Sequence, residues 1–128
     1  MLHHLSLPVE NLQDSIVLYD AMMKAIGYRR VLTTPTASGY GVIDGQDKLL
    51  LMQVIDARSA SAGFHIAFSA PSRESVDNFY ADALKHGAID NGRPGFRKHY
   101  GPGYYAAFVV DLDGHRIEAV HTSEDRNI

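Results

Sequence analysis

Residues 2–9 (LHHLSLPV) alternate in side-chain type at period two, the pattern of a strand with one face against a core. Asn11 then opens a helix, because Leu18, Tyr19, Met22, Met23 and Ile26 recur at three- and four-residue spacing until Gly27 stops it. Three more strands are predicted over residues 28–34, 39–43 and 48–55. Asp44-Gly45 lies between the last two, a dipeptide that readily supplies the positive φ of a tight turn. The first half therefore reads β-α-β-β-β.

A run of small residues, 57–62 (ARSASA), is followed by a restart of the same pattern. Residues 63–70 (GFHIAFSA) read as a strand. Pro71-Ser72 starts a helix with Val76, Phe79, Tyr80, Ala83 and Leu84 on one face, ended by Gly87. Residues 104–111 and 115–122 are strands joined through Asp113-Gly114. The stretch 88–103, rich in Gly and Pro, reads as one short strand and a long loop. Superposing the halves places His4 on His65, Ser15 on Val76, Leu18 on Phe79 and Tyr19 on Tyr80 at one constant offset, the mark of an internal repeat. The histidine match, inside two otherwise apolar strands, is its most telling part.

Composition narrows what such a repeat can do. With 128 residues the chain makes one domain, with modules over about 1–56 and 63–122. Its net charge of −3 lacks the basic excess that nucleic acid requires. No apolar run approaches the roughly 20 residues of a membrane span, and the first residues lack a basic flank before an apolar segment, so a cytoplasmic protein without membrane partner is expected. There is no cysteine, so disulfides, thiolate ligands and a cysteine nucleophile are ruled out; metal chemistry would fall to the seven histidines with carboxylates, amides and tyrosines.

His4 shares a strand face with Leu2 and Ser6, opposite Leu5, Leu7 and Val9; His65 shares one with Ala67 and Ser69, opposite Phe64, Ile66 and Phe68. In both strands the histidine is on the face with smaller or more polar neighbours, as in a strand that lines a site. A lone strand histidine is most often structural. Glu118 interrupts an apolar sequence, Ile117 to Val120, where a carboxylate needs a cation or a proton beside it. His3 is expected on the opposite face from His4, without a role.

Together these residues resemble the vicinal-oxygen-chelate superfamily, which contains glyoxalases, bleomycin-resistance proteins and extradiol dioxygenases. The likeness runs through His4-Leu-Ser-Leu, Asn11-Leu12, Ser15, Leu18-Tyr19 and Gly27-Tyr28, then His65-Ile-Ala-Phe, Val76, Phe79-Tyr80 and Gly87. It ends in Asp111-x-Asp113-Gly114-x-x-Ile117-Glu118, the most specific element. The resemblance implies an α+β fold, two tandem βαβββ modules forming an open, cup-like barrel. It also implies metal ligands at His4, His65 and Glu118. Two imidazoles and a carboxylate suit Fe, Mn, Ni or Zn as divalent ions with positions left open for two adjacent substrate oxygens. Glyoxalase I members carry a fourth ligand on the last strand of the first module, where this chain offers only Gln53.

Residues 93–105 (RPGFRKHYGPGYY) form a second cluster, read either as a loop closing on a ligand or as a solvated rim packed with tyrosines. The first reading makes Arg97 and Tyr100 substrate-binding residues and Tyr105, His99 or Glu118 itself the catalytic base. The strings at Asp90 to Gly95 and Tyr104 to Phe108 are similar to those of one subgroup of the superfamily. No nucleophile motif is present. The expected function is that of a metal-dependent enzyme, a lyase, isomerase or dioxygenase, acting on a small oxygen-rich molecule. The alternatives are a metal-free, antibiotic-sequestering pocket and a ligand sensor without turnover. Two-fold pairing into a homodimer is expected to cover the free sheet edges.

Overall fold

In the computed structural model, which describes residues 1–123, the alternating first segment forms β1 (Leu5–Val9) and the periodic second one α1 (Leu12–Ala25). Asn11 caps α1 through its side chain, which accepts the N–H of Asp14, and Gly27 ends it at φ +95. Strands β2 (Arg29–Thr34), β3 (Ala37–Gly41) and β4 (Leu49–Gln53) complete the first module. The second repeats it as β5 (Ile66–Ser69), α2 (Arg73–Lys85), β6 (Ile89–Phe96), β7 (Tyr104–Val110) and β8 (Arg116–Thr122), with Ser72 capping α2 by accepting the N–H of Ser75.

Two four-stranded sheets result, ordered β1-β4-β3-β2 and β5-β8-β7-β6. The outer pair in each is parallel: Leu5 stands opposite Leu49, and Ile66 opposite Ile117. The remaining pairs are antiparallel. Because the parallel ladders begin at Leu5 and Ile66, His4 and His65 each sit one residue before the strand, where side chains are less tightly aimed. The α+β fold of two βαβββ modules is thus as the sequence implies, with strands shorter than the apolar runs suggest.

The stretch 88–103 departs most from its expectation. It supplies a full eight-residue edge strand, β6, whose register shifts between Asp90 and Gly92 and again between Gly92 and Gly95, before a turn of 3-10 helix at Lys98–Tyr100. Glycine hides this strand from a propensity reading, but its absence of side chain is needed: at Gly92, φ +149, a Cβ would lie 2.9 Å from the Phe108 ring. Pro94 is tolerated because β6 is an edge.

One core joins the modules, with Leu7, Val9, Leu12, Leu18 and Met22 of the first in the same cluster as Val76, Phe79 and Ile117 of the second. The face of each sheet turned from the helices lies outside this core. Polar contacts also cross between modules. The Tyr19 hydroxyl donates to Asp111 Oδ2 at 2.5 Å, His115 Nε2 lies 2.7 Å from the Pro8 carbonyl, and the Glu10 N–H donates to Asp113 Oδ1. Asp111 Oδ1 accepts the N–H groups of Asp113 and His115, so the aspartates of the D-x-D-G string build the β7–β8 turn and tie it to the first module. Burial pushes the Asp111 carboxyl up and holds the Tyr19 phenol far above its usual range. Among the described residues no helix is long and apolar enough to cross a membrane.

Candidate functional site

On the open face of the second sheet, Ala67 and Phe108 flank Glu118 from either side in the strand register. Glu118 is 1% exposed, and both of its oxygens are occupied. His65 Nε2 lies 2.9 Å from Oε1, and the Tyr104 hydroxyl donates to Oε2 at 2.5 Å. These are the partners that a carboxylate in an apolar strand needs. Burial, followed by the hydrogen bond to Glu118, raises the Tyr104 phenol well above its ordinary value, so it stays a donor.

Aromatic rings surround the pair. Phe108 meets the His65 ring edge-on at 6.2 Å, and the Arg97 guanidinium lies 5.3 Å from the centre of the same Phe108 ring. Tyr100 packs on Tyr104 at 5.2 Å, and His99 on Tyr100 at 4.1 Å, so the 3-10 turn forms an exposed rim leading to the carboxylate. Arg97 donates to the carbonyls of Gly95 and Arg93, which fixes its guanidinium in the loop.

The structure therefore brings together His65, Glu118 and, around them, Arg97, Tyr100 and His99. It does not bring His4 to them. His4 is exposed at the start of the first sheet, and its Nδ1 lies 2.8 Å from that of His3, the two rings meeting edge-on. The expectation that His3 points away fails because residues 1–4 precede the ladder and are not bound by strand alternation. Among the described residues no group of three His, Asp or Glu side chains is placed to hold a metal ion.

Two further expectations are corrected. Gln53 is no fourth ligand: it is on the helix side of β4 with Leu49 and Leu51, and its Oε1 accepts the N–H of Leu12 at the start of α1. Only Leu50 and Met52 of β4 face the open side, and neither is a carboxylate or an amide. Tyr105 is not at the site either, because its hydroxyl donates to Asp77 of α2 at 2.6 Å. Its neighbour Tyr104 holds that place. The signal for Tyr104 was the parity of the β7–β8 hairpin, in which Phe108 opposes Glu118 and residues 104, 106 and 108 share its face.

The donors at this point, an imidazole and a carboxylate, are of the kind that divalent ions take. Ligand atoms next to each other on an octahedral ion with bonds of about 2.1 Å are about 3 Å apart, close to the His65–Glu118 separation of 2.9 Å. His65 and Glu118 are the two donor groups that would hold such an ion, with Tyr104 holding the second carboxylate oxygen in place.

Residues 1–119 match a family model described as the Glyoxalase/Bleomycin resistance protein/Dioxygenase superfamily. Among solved structures, a glyoxalase/bleomycin resistance protein from Albidiferax ferrireducens is 27% identical with a TM-score of 0.80, covering 92% of this chain and 96% of its own. A putative glyoxalase from Bacillus halodurans is 25% identical, TM-score 0.70, over 94% and 95% of the two chains. The fosfomycin resistance protein FosX from Listeria monocytogenes shares the fold at 16% identity and a TM-score of 0.71, covering 100% of this chain and 98% of its own. No match is found among curated proteins.

Proposed function

Since the chain belongs to the Glyoxalase/Bleomycin resistance protein/Dioxygenase superfamily, we propose that it is a metal-dependent enzyme that holds a small molecule through two adjacent oxygens. His65 and Glu118 are two of the ligands. The third is His4 of a second copy of the chain, which makes the working unit a homodimer. The observation that carries this reading is the buried Glu118 carboxylate with His65 Nε2 at 2.9 Å and Tyr104 on its far oxygen. A divalent Fe, Mn, Ni or Zn ion would supply Lewis acidity toward the chelated oxygens.

The chain's own residues do the rest. Tyr104 fixes the rotamer of Glu118 by donating its hydroxyl to the carboxylate oxygen turned away from His65. Tyr100 and His99 line the approach, and His99 presents an exposed imidazole there. His4 is exposed and, among the described residues, its ring contacts that of His3, which leaves it free to reach a neighbouring molecule. A metal-free, sequestering pocket is the competing reading, in which His65 and Glu118 stay paired with each other.

Metal analysis of protein purified without a histidine tag or added metal tests the choice. We expect about one divalent ion per chain in the wild type and none in His65→Ala or His4→Ala. Mixing and refolding the two variants should restore about a quarter of the wild-type content, because half of the dimers are mixed and each has one intact shared site. A mixture that stays empty refutes the shared site. A wild type without metal gives the lead to the sequestering pocket.

A further inference from the structure

The arginines among the described residues differ in what they face: Arg73 lies over the Phe96 ring and Arg93 interacts with Asp90. Arg29, Arg30 and Arg58 each hold a carboxylate, those of Asp44, Asp20 and Asp56. Arg97 and Arg116 have no such partner among the described residues, although both are partly buried. Both also belong to the open face of the second sheet. Arg116 is two residues before Glu118 on β8, so strand alternation gives them one face. The Arg97 N–H pairs with the Tyr104 carbonyl, which carries the ladder one step past Phe96 and sets the Arg97 side chain beside that of Tyr104. Its guanidinium then lies over Phe108, the ring that also touches His65.

Charge on this face is therefore out of balance. Its strand residues Ala67, Ser69, Tyr104, Ala106, Phe108, Val110, Val120 and Thr122 carry no charge, and its one carboxylate, Glu118, is fully engaged by His65 and Tyr104. Segment 91–110 contains Arg93, Arg97 and Lys98 but no acid, in a chain whose net charge is −3. The Arg97 head group is partly desolvated by the Phe108 ring and tethered by two neutral carbonyls, an arrangement that orients a cation without neutralising it.

We propose that the site takes an anionic ligand: a small molecule with a carboxylate or similar anionic oxygen group a few atoms from its chelating oxygens. Arg97, assisted by Arg116, receives that charge. The inference rests on the placement of the site at His65 and Glu118. Arg97 is fixed in advance by its two carbonyl contacts, so it sets specificity at small entropic cost.

The experiment compares two hydroxamates of equal length, butyrohydroxamate and succinic monohydroxamate, which differ by a methyl against a carboxylate. Titration calorimetry is run on Co(II)-loaded and on metal-free protein. The anionic compound should bind at least about tenfold more tightly, as expected for a charge-assisted hydrogen bond, and the preference should shrink as salt is raised. In the double variant Arg97→Gln with Arg116→Gln the ratio should fall to within about twofold, whereas Lys98→Gln should leave it unchanged. A wild-type ratio near one overturns the proposal, and so does a ratio that survives in the double variant. Should the variant not fold, the wild-type ratio and its salt dependence still decide. Binding of butyrohydroxamate that does not need Co(II) counts against the metal reading alone, since the ratio is read in both protein forms.

Discussion

In the first sheet Leu50 stands between Ser6 and Gly39; at the matching place in the second, Glu118 stands between Ala67 and Phe108. The two βαβββ modules present equivalent histidines, His4 and His65, one residue before equivalent strands. Beyond that their open faces differ. A ring like that of Phe108 is excluded at Gly39, where even a Cβ would lie 2.6 Å from the Asp47 side chain. The connection after β2 is residues 35–36, while that after β6 is residues 97–103 and carries the 3-10 turn of the rim. The two modules thus share the scaffold and the histidines, and the carboxylate, its phenol and its aromatic wall belong to the second module alone.

The sharpest break of this comparison is to make the second face like the first. Glu118→Leu should abolish metal binding, lowering affinity by more than the roughly 10- to 100-fold typical of outer-sphere partners. The fold should survive, because an apolar side chain of similar volume suits a buried strand, with a cost of about 1–3 kcal/mol for leaving Tyr104 without its acceptor. The reverse change, Leu50→Glu, should create no metal site, since no phenol or aromatic ring stands ready to orient the new carboxylate. Metal content and urea denaturation of both variants measure this. A metal-binding Leu50→Glu protein would show the modules to be interchangeable.

A smaller effect separates two adjacent tyrosines, and it marks where the sequence could be read and where it could not. Element types and the repeat were legible because burial imposes periods of two and 3.6 on apolar residues. Glu118 was legible because an acid between Ile117 and Ala119 is costly without a partner. Which tyrosine faces it was not, since one residue of register reverses every side chain, and the same uncertainty hid the role of Gln53 at the start of α1. The strand β6 was obscured by its glycines, whose reason, room for the Phe108 ring, is tertiary. Tyr104→Phe removes a donor from a buried carboxylate and should cost about 1–3 kcal/mol of stability and about tenfold in metal affinity. Tyr105→Phe loses only the surface contact with Asp77 and should stay within about 0.5 kcal/mol of the wild type, with metal binding unchanged. Equal effects in the two variants would undo the assignment of faces.

The mildest contrast lies in the aspartates that serve the repeated tyrosines. Tyr19 of the first module donates to Asp111, buried across the module boundary, while its counterpart Tyr80 interacts with Asp90 at the surface of its own module. Burial raises the Asp111 carboxyl, so the folded state keeps that proton to higher pH than the unfolded chain does. Its contribution to stability is therefore fully present below the unfolded carboxylate range and is lost as pH rises through the folded value. Asp90 shifts the other way, lowered first by the Gly92 N–H and then by Tyr80, so its contribution is present above the unfolded range and lost as pH falls. Asp111→Asn should accordingly gain on the wild type as pH is raised from the acidic end of the carboxylate range toward neutrality, with the amide able to serve both Tyr19 and the turn N–H groups. Asp90→Asn should lose ground over the same interval. Urea midpoints of the three proteins across that interval give the answer: if both variants track the wild type in parallel, the two aspartates titrate alike in folded and unfolded chains, and the buried boundary between the modules is not electrostatically different from the surface.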